Sequence, residues 1–218
     1  MESGALLSAL SLSLRNISVF RGDRCLLRDL GLDIAAADVV HLVGPNGCGK
    51  TSLMRIIAGL TSPETGEVLW QGRPISQQRS AYLRNCAWLG HTAGLKGDMT
   101  LLENLRFDNR LRRNVSDQLV VDTLRTLGID NRADVAARGL SAGQRRRAAL
   151  ARVLLSDACL WLLDEPFTNL DREGQQEVRA LMAAHARAGG AIVFAAHHDV
   201  AIEGVTVRRL EWGQQDAG

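Results

Sequence analysis

The sequence predicts an α/β fold, with a parallel β-sheet carrying helices on its faces and an antiparallel β part ahead of it. Three observations predict it. Segments of helical spacing alternate with short apolar runs of strand length over the second half of the chain: Gln144–Leu155 leads into Leu160–Leu163, Gln175–Ala188 into Ala191–Ala195, and a last short strand falls near Val205–Leu210. A glycine-rich stretch from Gly44 follows one apolar run, Val39–Val43, and opens a helical pattern. A second apolar run ends on two adjacent carboxylates, Asp164 and Glu165. Parallel strands collect ligand sites at their carboxyl ends, so both features fall where such a fold works on its ligands.

Taken in order, residues 11–36 alternate weakly between polar and apolar around a turn signal at Arg21-Gly22-Asp23 and read as a strand pair. Val39–Val43 is a short apolar run, broken only by His41 and ending at Gly44, as a buried parallel strand would be. Leu53, Ile56, Ile57 and Leu60 recur at helical spacing, and Pro63 and Gly66 close that helix. Glu67–Trp70 resumes as a strand before Gly72. Residues 96–135 are polar, lack strand runs and read as helices and loops.

Composition bounds the function. The 218 residues suffice for one α/β domain with a real core; 46% are hydrophobic and 23% charged, as in an ordinary soluble protein. No stretch approaches the ~18 consecutive apolar residues of a membrane span. Residues 5–14 have the apolarity of a signal-peptide core, but Glu2 stands where a basic head belongs, so secretion is not expected. Cys25, Cys48, Cys86 and Cys159 are scattered without metal-ligand spacing, as reduced cytosolic thiols are. A net charge of +2 gives no field for nucleic acid or anionic lipid.

The stretch Gly44-Pro45-Asn46-Gly47-Cys48-Gly49-Lys50-Thr51 fits GxxxxGK[ST] between a strand and a helix. Glycines let successive backbone N–H groups curl around a phosphate, and the helix that follows adds its positive end. Lys50 is expected to face the β- and γ-phosphates of ATP and Thr51 to ligate Mg²⁺, with Ser52 completing the nucleotide contacts. Asp164 is expected to hold the Mg²⁺ shell and Glu165 to act as general base on the attacking water. Strand alternation sends these two side chains to opposite faces, in keeping with two different jobs.

Leu140-Ser141-Ala142-Gly143-Gln144, just upstream of the acid pair, closely resembles the LSGGQ signature of ABC ATPases, with Ala142 for the middle glycine. Thr168-Asn169-Leu170-Asp171 resembles the D-loop of that family, and Ala195-Ala196-His197-His198-Asp199 ends an apolar strand as its switch histidine does. The resemblance covers almost the whole chain. It implies a P-loop NTPase with a RecA-like parallel-sheet core, an antiparallel β subdomain and a helical subdomain over about residues 92–157, all within one ABC nucleotide-binding domain. It implies that Ser141, Gly143 and Gln144 close on the nucleotide held by a second copy, so that a homodimer sandwiches two ATPs. It also implies that His197, rather than His198, contacts the γ-phosphate and orients the water. Phe20 takes the place of the aromatic that stacks on adenine, although a core position on a half-buried strand fits it equally.

Gly66–Gly72, Trp88-Leu89-Gly90-His91, Leu101–Leu105 and Leu140–Arg147 are together similar to the ATPase subunits of the bacterial haem exporters of cytochrome c maturation. That resemblance implies docking on integral membrane subunits at the cytoplasmic face of the inner membrane, with no cargo contact required of this chain. His91 stands where the wider family has the Q-loop glutamine. A neutral imidazole offers one acceptor nitrogen and can take that role, or His91 is a loop residue at the subunit interface. The alternatives are an ABC ATPase serving another substrate and a soluble ABC ATPase acting on DNA or ribosomes. Proteins of the second kind usually carry a long coiled coil between the two motifs or a second ATPase domain, and neither is expected to fit in 218 residues.

Overall fold

In the computed structural model the described residues are 10–112 and 115–211, with side chains described outside 109–112; residues 5–9 of the apolar segment discussed above lie outside them. β1 (Ser11–Arg21) and β2 (Arg24–Ala35) form an antiparallel hairpin about Gly22. β1 pairs on its other side with β4 (Thr65–Trp70), which pairs with the two-residue β5 (Arg73–Pro74). Its register slips between Leu14 and Ile17, beside Asn16 in the left-handed region, which bends the strand as a bulge does.

The second sheet is wholly parallel. β6 (Cys86–Leu89), β7 (Leu160–Asp164), β8 (Ala191–Ala195), β3 (Val39–Val43) and β9 (Val207–Glu211) lie side by side in that order. Its inner strands β7, β8 and β3 are buried on both faces while the edge strand β9 is largely exposed, and period-2 alternation divides the buried side chains between two cores. Leu160 and Leu162 of β7, with Val40 and Leu42 of β3, pack toward helix α1 (Lys50–Ile57) and the antiparallel sheet. Trp161 and Leu163 of β7, with Ile192 and Phe194 of β8, pack on the opposite face toward helices α3 (Leu101–Arg112), α4 (Asp117–Thr126), α5 (Ala142–Leu155) and α6 (Arg172–Arg187). Each such side chain contributes roughly 1.5–3 kcal/mol through burial.

Besides the two-residue β5, one helix and strand β6 were not predicted from the sequence. Helix α2 (Arg79–Asn85) buries only Tyr82, whose hydroxyl donates to the Ile57 carbonyl, so it shows no apolar period. Strand β6 is four residues long and gives no alternation to read. Of the three alternations read in the second half, the last is a strand alone: β9 is reached from β8 without a helix. Helix α6 begins three residues earlier than its apolar period because the Asp171 side chain caps it, accepting from the Gly174 amide at 2.9 Å. Among the described residues no helix is long and apolar enough to cross a membrane.

Candidate active site

Strands β3, β6, β7 and β8 all end at one cleft of about 620 Å³, the size of a small-molecule site. Gly44–Gly49 leave β3 and turn into α1. Gly47 (φ 77°) and Gly49 (φ 112°), the latter capping α1, take backbone conformations that a Cβ would strain. Pro45, Asn46 and Gly47 are exposed, whereas Gly44, Cys48, Gly49, Thr51 and Ser52 are half-buried. Lys50 is the first residue of α1 and is buried. Its ammonium donates to the carbonyls of Gly44 (2.6 Å) and Pro45 (3.0 Å), which holds it against its own loop.

Asp164 closes β7 on the same face as Leu160 and Leu162, the face covered by α1. Its carboxylate therefore meets the start of that helix, and the Thr51 hydroxyl donates to Asp164 Oδ2 at 2.9 Å. The expectation that Glu165 points to the opposite face is not met: both carboxyls line the cleft. The physical reason is local. The strand stops at Asp164, and Glu165 adopts a left-handed conformation (φ 55°) with its N–H bonded to the Ala195 carbonyl at 2.9 Å, so alternation no longer applies. Burial pushes the Glu165 carboxyl above the ordinary glutamate value; the nearby His197 pulls it down, and the Asp164 charge pushes it up.

Each carboxyl faces an imidazole. His91 Nε2, beyond the end of β6, is 3.2 Å from Asp164 Oδ2, and His197 Nε2, beyond β8, is 3.4 Å from Glu165 Oε1. An imidazole nitrogen facing a carboxylate favours the tautomer that carries its proton there, which leaves Nδ1 of His91 as its acceptor. His198 turns away toward the Phe167 ring, at 6.0 Å between centroids. Phe20 lines a neighbouring hollow with Ser52 and Arg55 rather than the cleft itself; at 41% exposure it is not a core side chain.

Ser141, Gly143 and Gln144 do not line this cleft. They open α5 with a reciprocal capping box: Ser141 Oγ accepts from the Gln144 amide (3.2 Å), and Gln144 Oε1 accepts from the Ser141 amide (2.9 Å). The amides of Ala142 and Gly143 lie in the first turn, where a helix offers no backbone acceptor, and they give the exposed tip its positive character. Gly143 is required by close approach. A Cβ there would stand 2.7 Å from the Asn169 carbonyl oxygen. Sequence reasoning missed Arg21, Leu26 and Arg55, which also line the cleft, and Arg146, whose buried guanidinium lies behind the acid pair. The run Arg145-Arg146-Arg147 was visible, but nothing in it distinguishes a buried arginine from solvated ones.

The family model described as ABC transporter matches residues 27–168. The chain is 40% identical to the cytochrome c biogenesis ATP-binding export protein CcmA of Vibrio cholerae, over 93% of this chain and 98% of that protein. It is 45% identical to the protein of the same name from Haemophilus influenzae, over 87% and 90% respectively. Among solved structures, an ATP-binding subunit of an ABC transporter superposes with a TM-score of 0.77 at 24% identity, over 85% of this chain and 79% of that one. A bacterial Atm1-family ABC exporter with ATP bound gives 0.82 at 23% identity, over 94% of this chain and 38% of that one. At these identities the structures speak for the fold.

Proposed function

We propose, from the premise that the chain belongs to the ABC transporter family, that it is the ATP-hydrolysing subunit of an export machine serving cytochrome c biogenesis, with haem as the cargo of that machine. The domain binds ATP as its family does. The observation that carries the catalytic reading is the Thr51–Asp164 hydrogen bond at the end of β7, with Glu165 turned into the same cleft.

In this reading the loop Gly44–Gly49 and the amino end of α1 receive the phosphates of ATP, and Lys50 exchanges its loop carbonyls for phosphate oxygens. Thr51 and Asp164 would hold Mg²⁺. Two oxygen donors suit a hard cation that takes its remaining ligands from water and phosphate, and among the described residues no cluster of three or more His, Cys, Asp or Glu is arranged to replace them. The metal supplies charge neutralisation to the transferred phosphoryl group. Glu165 accepts the proton of the attacking water, and its raised proton affinity brings it nearer the operating pH. His197, whose Nε2 lies 3.4 Å from Glu165 Oε1, helps orient that water. Ser141, Gly143 and Gln144, exposed or half-exposed and outside the cleft, complete the site of a second copy. The homodimer docks on integral membrane subunits at the cytoplasmic face of the bacterial inner membrane, with the loop from His91 toward Glu103 as its coupling surface.

Two experiments test this reading. Deletion of the gene is expected to abolish covalent c-type cytochromes while sparing b-type ones; normal c-type cytochromes would assign the ATPase to another cargo. Mixed dimers with Lys50→Ala on one chain and Ser141→Arg on the other keep one composite site whole. They are expected to recover about half of the wild-type ATPase rate, and a rate no higher than either parent would refute the shared site.

A further inference from the structure

Arg146 sits in the second turn of α5 with 5% of its surface exposed, an uncommon place for a guanidinium. Among the described residues it has no side-chain ion-pair partner and spends its fork on carbonyls: Nη2 donates to the backbone oxygens of Asp164 (2.5 Å) and Glu165 (2.6 Å), and Nη1 to that of Gly90 (2.7 Å). Consecutive carbonyls of an extended strand point in opposite directions. Those of Asp164 and Glu165 converge on a single nitrogen only because Glu165 is left-handed, a conformation disfavoured for any residue with a Cβ. The third carbonyl precedes His91. Burial draws the Arg146 pKa down to about 10, and the two carboxylates oppose that shift, so the group stays charged at neutral pH. Its neighbours go elsewhere. Arg145 donates to the Leu140 carbonyl, while Arg147 bonds the Leu127 carbonyl and the side chains of Glu177 and Asp171.

We propose that Arg146 is a positioning residue for ATP hydrolysis: its fork fixes the left-handed turn at Glu165 and the start of the His91 loop together, and so aims the base at the water. This rests on the reading of Glu165 as general base. It also ties the helix that presents Ser141–Gln144 to a second copy directly to the acid pair of its own subunit. Lysine cannot substitute fully, because one ammonium lacks the planar fork that reaches three carbonyls.

The test measures ATP hydrolysis and nucleotide binding of the full chain carrying Arg146→Met or Arg146→Lys, each alone and combined with Glu165→Gln. Arg146→Met is expected to lower kcat about 100-fold with KM for ATP changed less than about threefold, and Arg146→Lys to lose about tenfold. In the Glu165→Gln background neither is expected to lower the residual rate further, since there is no carboxylate left to aim; general damage to the fold would instead multiply the losses. Should Arg146→Met fail to fold, Arg146→Lys and its double variant carry the same test. An unchanged kcat, a loss confined to KM, or multiplicative losses would overturn the role of Arg146 alone. A wild-type rate in Glu165→Gln would overturn the underlying assignment and this role with it.

Discussion

The two ends of β7 each bring an aromatic nitrogen ring to the strand, to opposite effect. At the carboxyl end the buried Asp164 and Glu165 face His91 and His197, whose side chains are 62% and 59% exposed, so solvent reaches the imidazoles that stand against the acids. At the amino end Trp161 stacks on His185, with centroids 3.8 Å apart and planes 9° apart, while His185 Nε2 bonds the Cys159 carbonyl at 3.2 Å. Burial there depresses the His185 pKa to about 4 and keeps the ring neutral. Asp164 and Trp161, three positions apart on one strand, thus belong respectively to a solvent-facing cleft and to a packed interior. The difference lies in what each end is open to, because histidine is common to both.

Perturbing the two ends should therefore move different observables. The largest effect is expected from Lys50→Ala, which deletes the ammonium of the cleft: ATP binding should fall by at least about 100-fold and hydrolysis with it, at unchanged thermal stability. Normal ATP affinity in a nucleotide-binding assay would break the assignment of the carboxyl end. Glu165→Gln comes next. It should keep ATP affinity while kcat falls by about 100- to 10,000-fold, since an amide accepts no proton from water.

The amino end should answer to acid instead. His185 has a folded pKa near 4 against an unfolded value of about 6.5, so its contribution to stability is complete above pH 6.5 and is lost as pH falls through 4. The full swing is about 3 kcal/mol. His185→Gln should flatten the fall in melting temperature over that window while leaving kcat at neutral pH within about twofold; an equally steep fall would show that other groups govern it. The smallest effect is expected in the hollow beside the cleft. Phe20→Ala should weaken ATP binding by about five- to tenfold without loss of stability, because the ring is exposed and its stacking energy is modest.

What the sequence disclosed follows from how tightly chemistry constrains each segment. The meeting of Gly47, Gly49, Lys50 and Thr51 at one cleft was legible because the GxxxxGK[ST] pattern between a strand and a helix allows few alternatives in residue type or spacing. Strands β3, β7 and β8 were legible because strands buried on both faces must be largely apolar. Strand β6 and helix α2 were not, being too short and too sparsely apolar to carry a period. The common facing of Asp164 and Glu165 escaped because one left-handed residue cancels alternation, and no propensity marks glutamate for that conformation. Arg146 escaped for a related reason: its partners are backbone carbonyls, which leave no trace in residue identity.

The close approach of Gly143 and Asn169 has a steric consequence for the assembly. A Cβ at Gly143 would stand 2.7 Å from the Asn169 carbonyl oxygen, so the tip of α5 and the loop after β7 can lie this near only while position 143 carries no side chain. In the two-copy assembly proposed above, that tip covers the other subunit's nucleotide, and any larger residue at position 143 would wedge it away from its own Thr168–Asp171 loop.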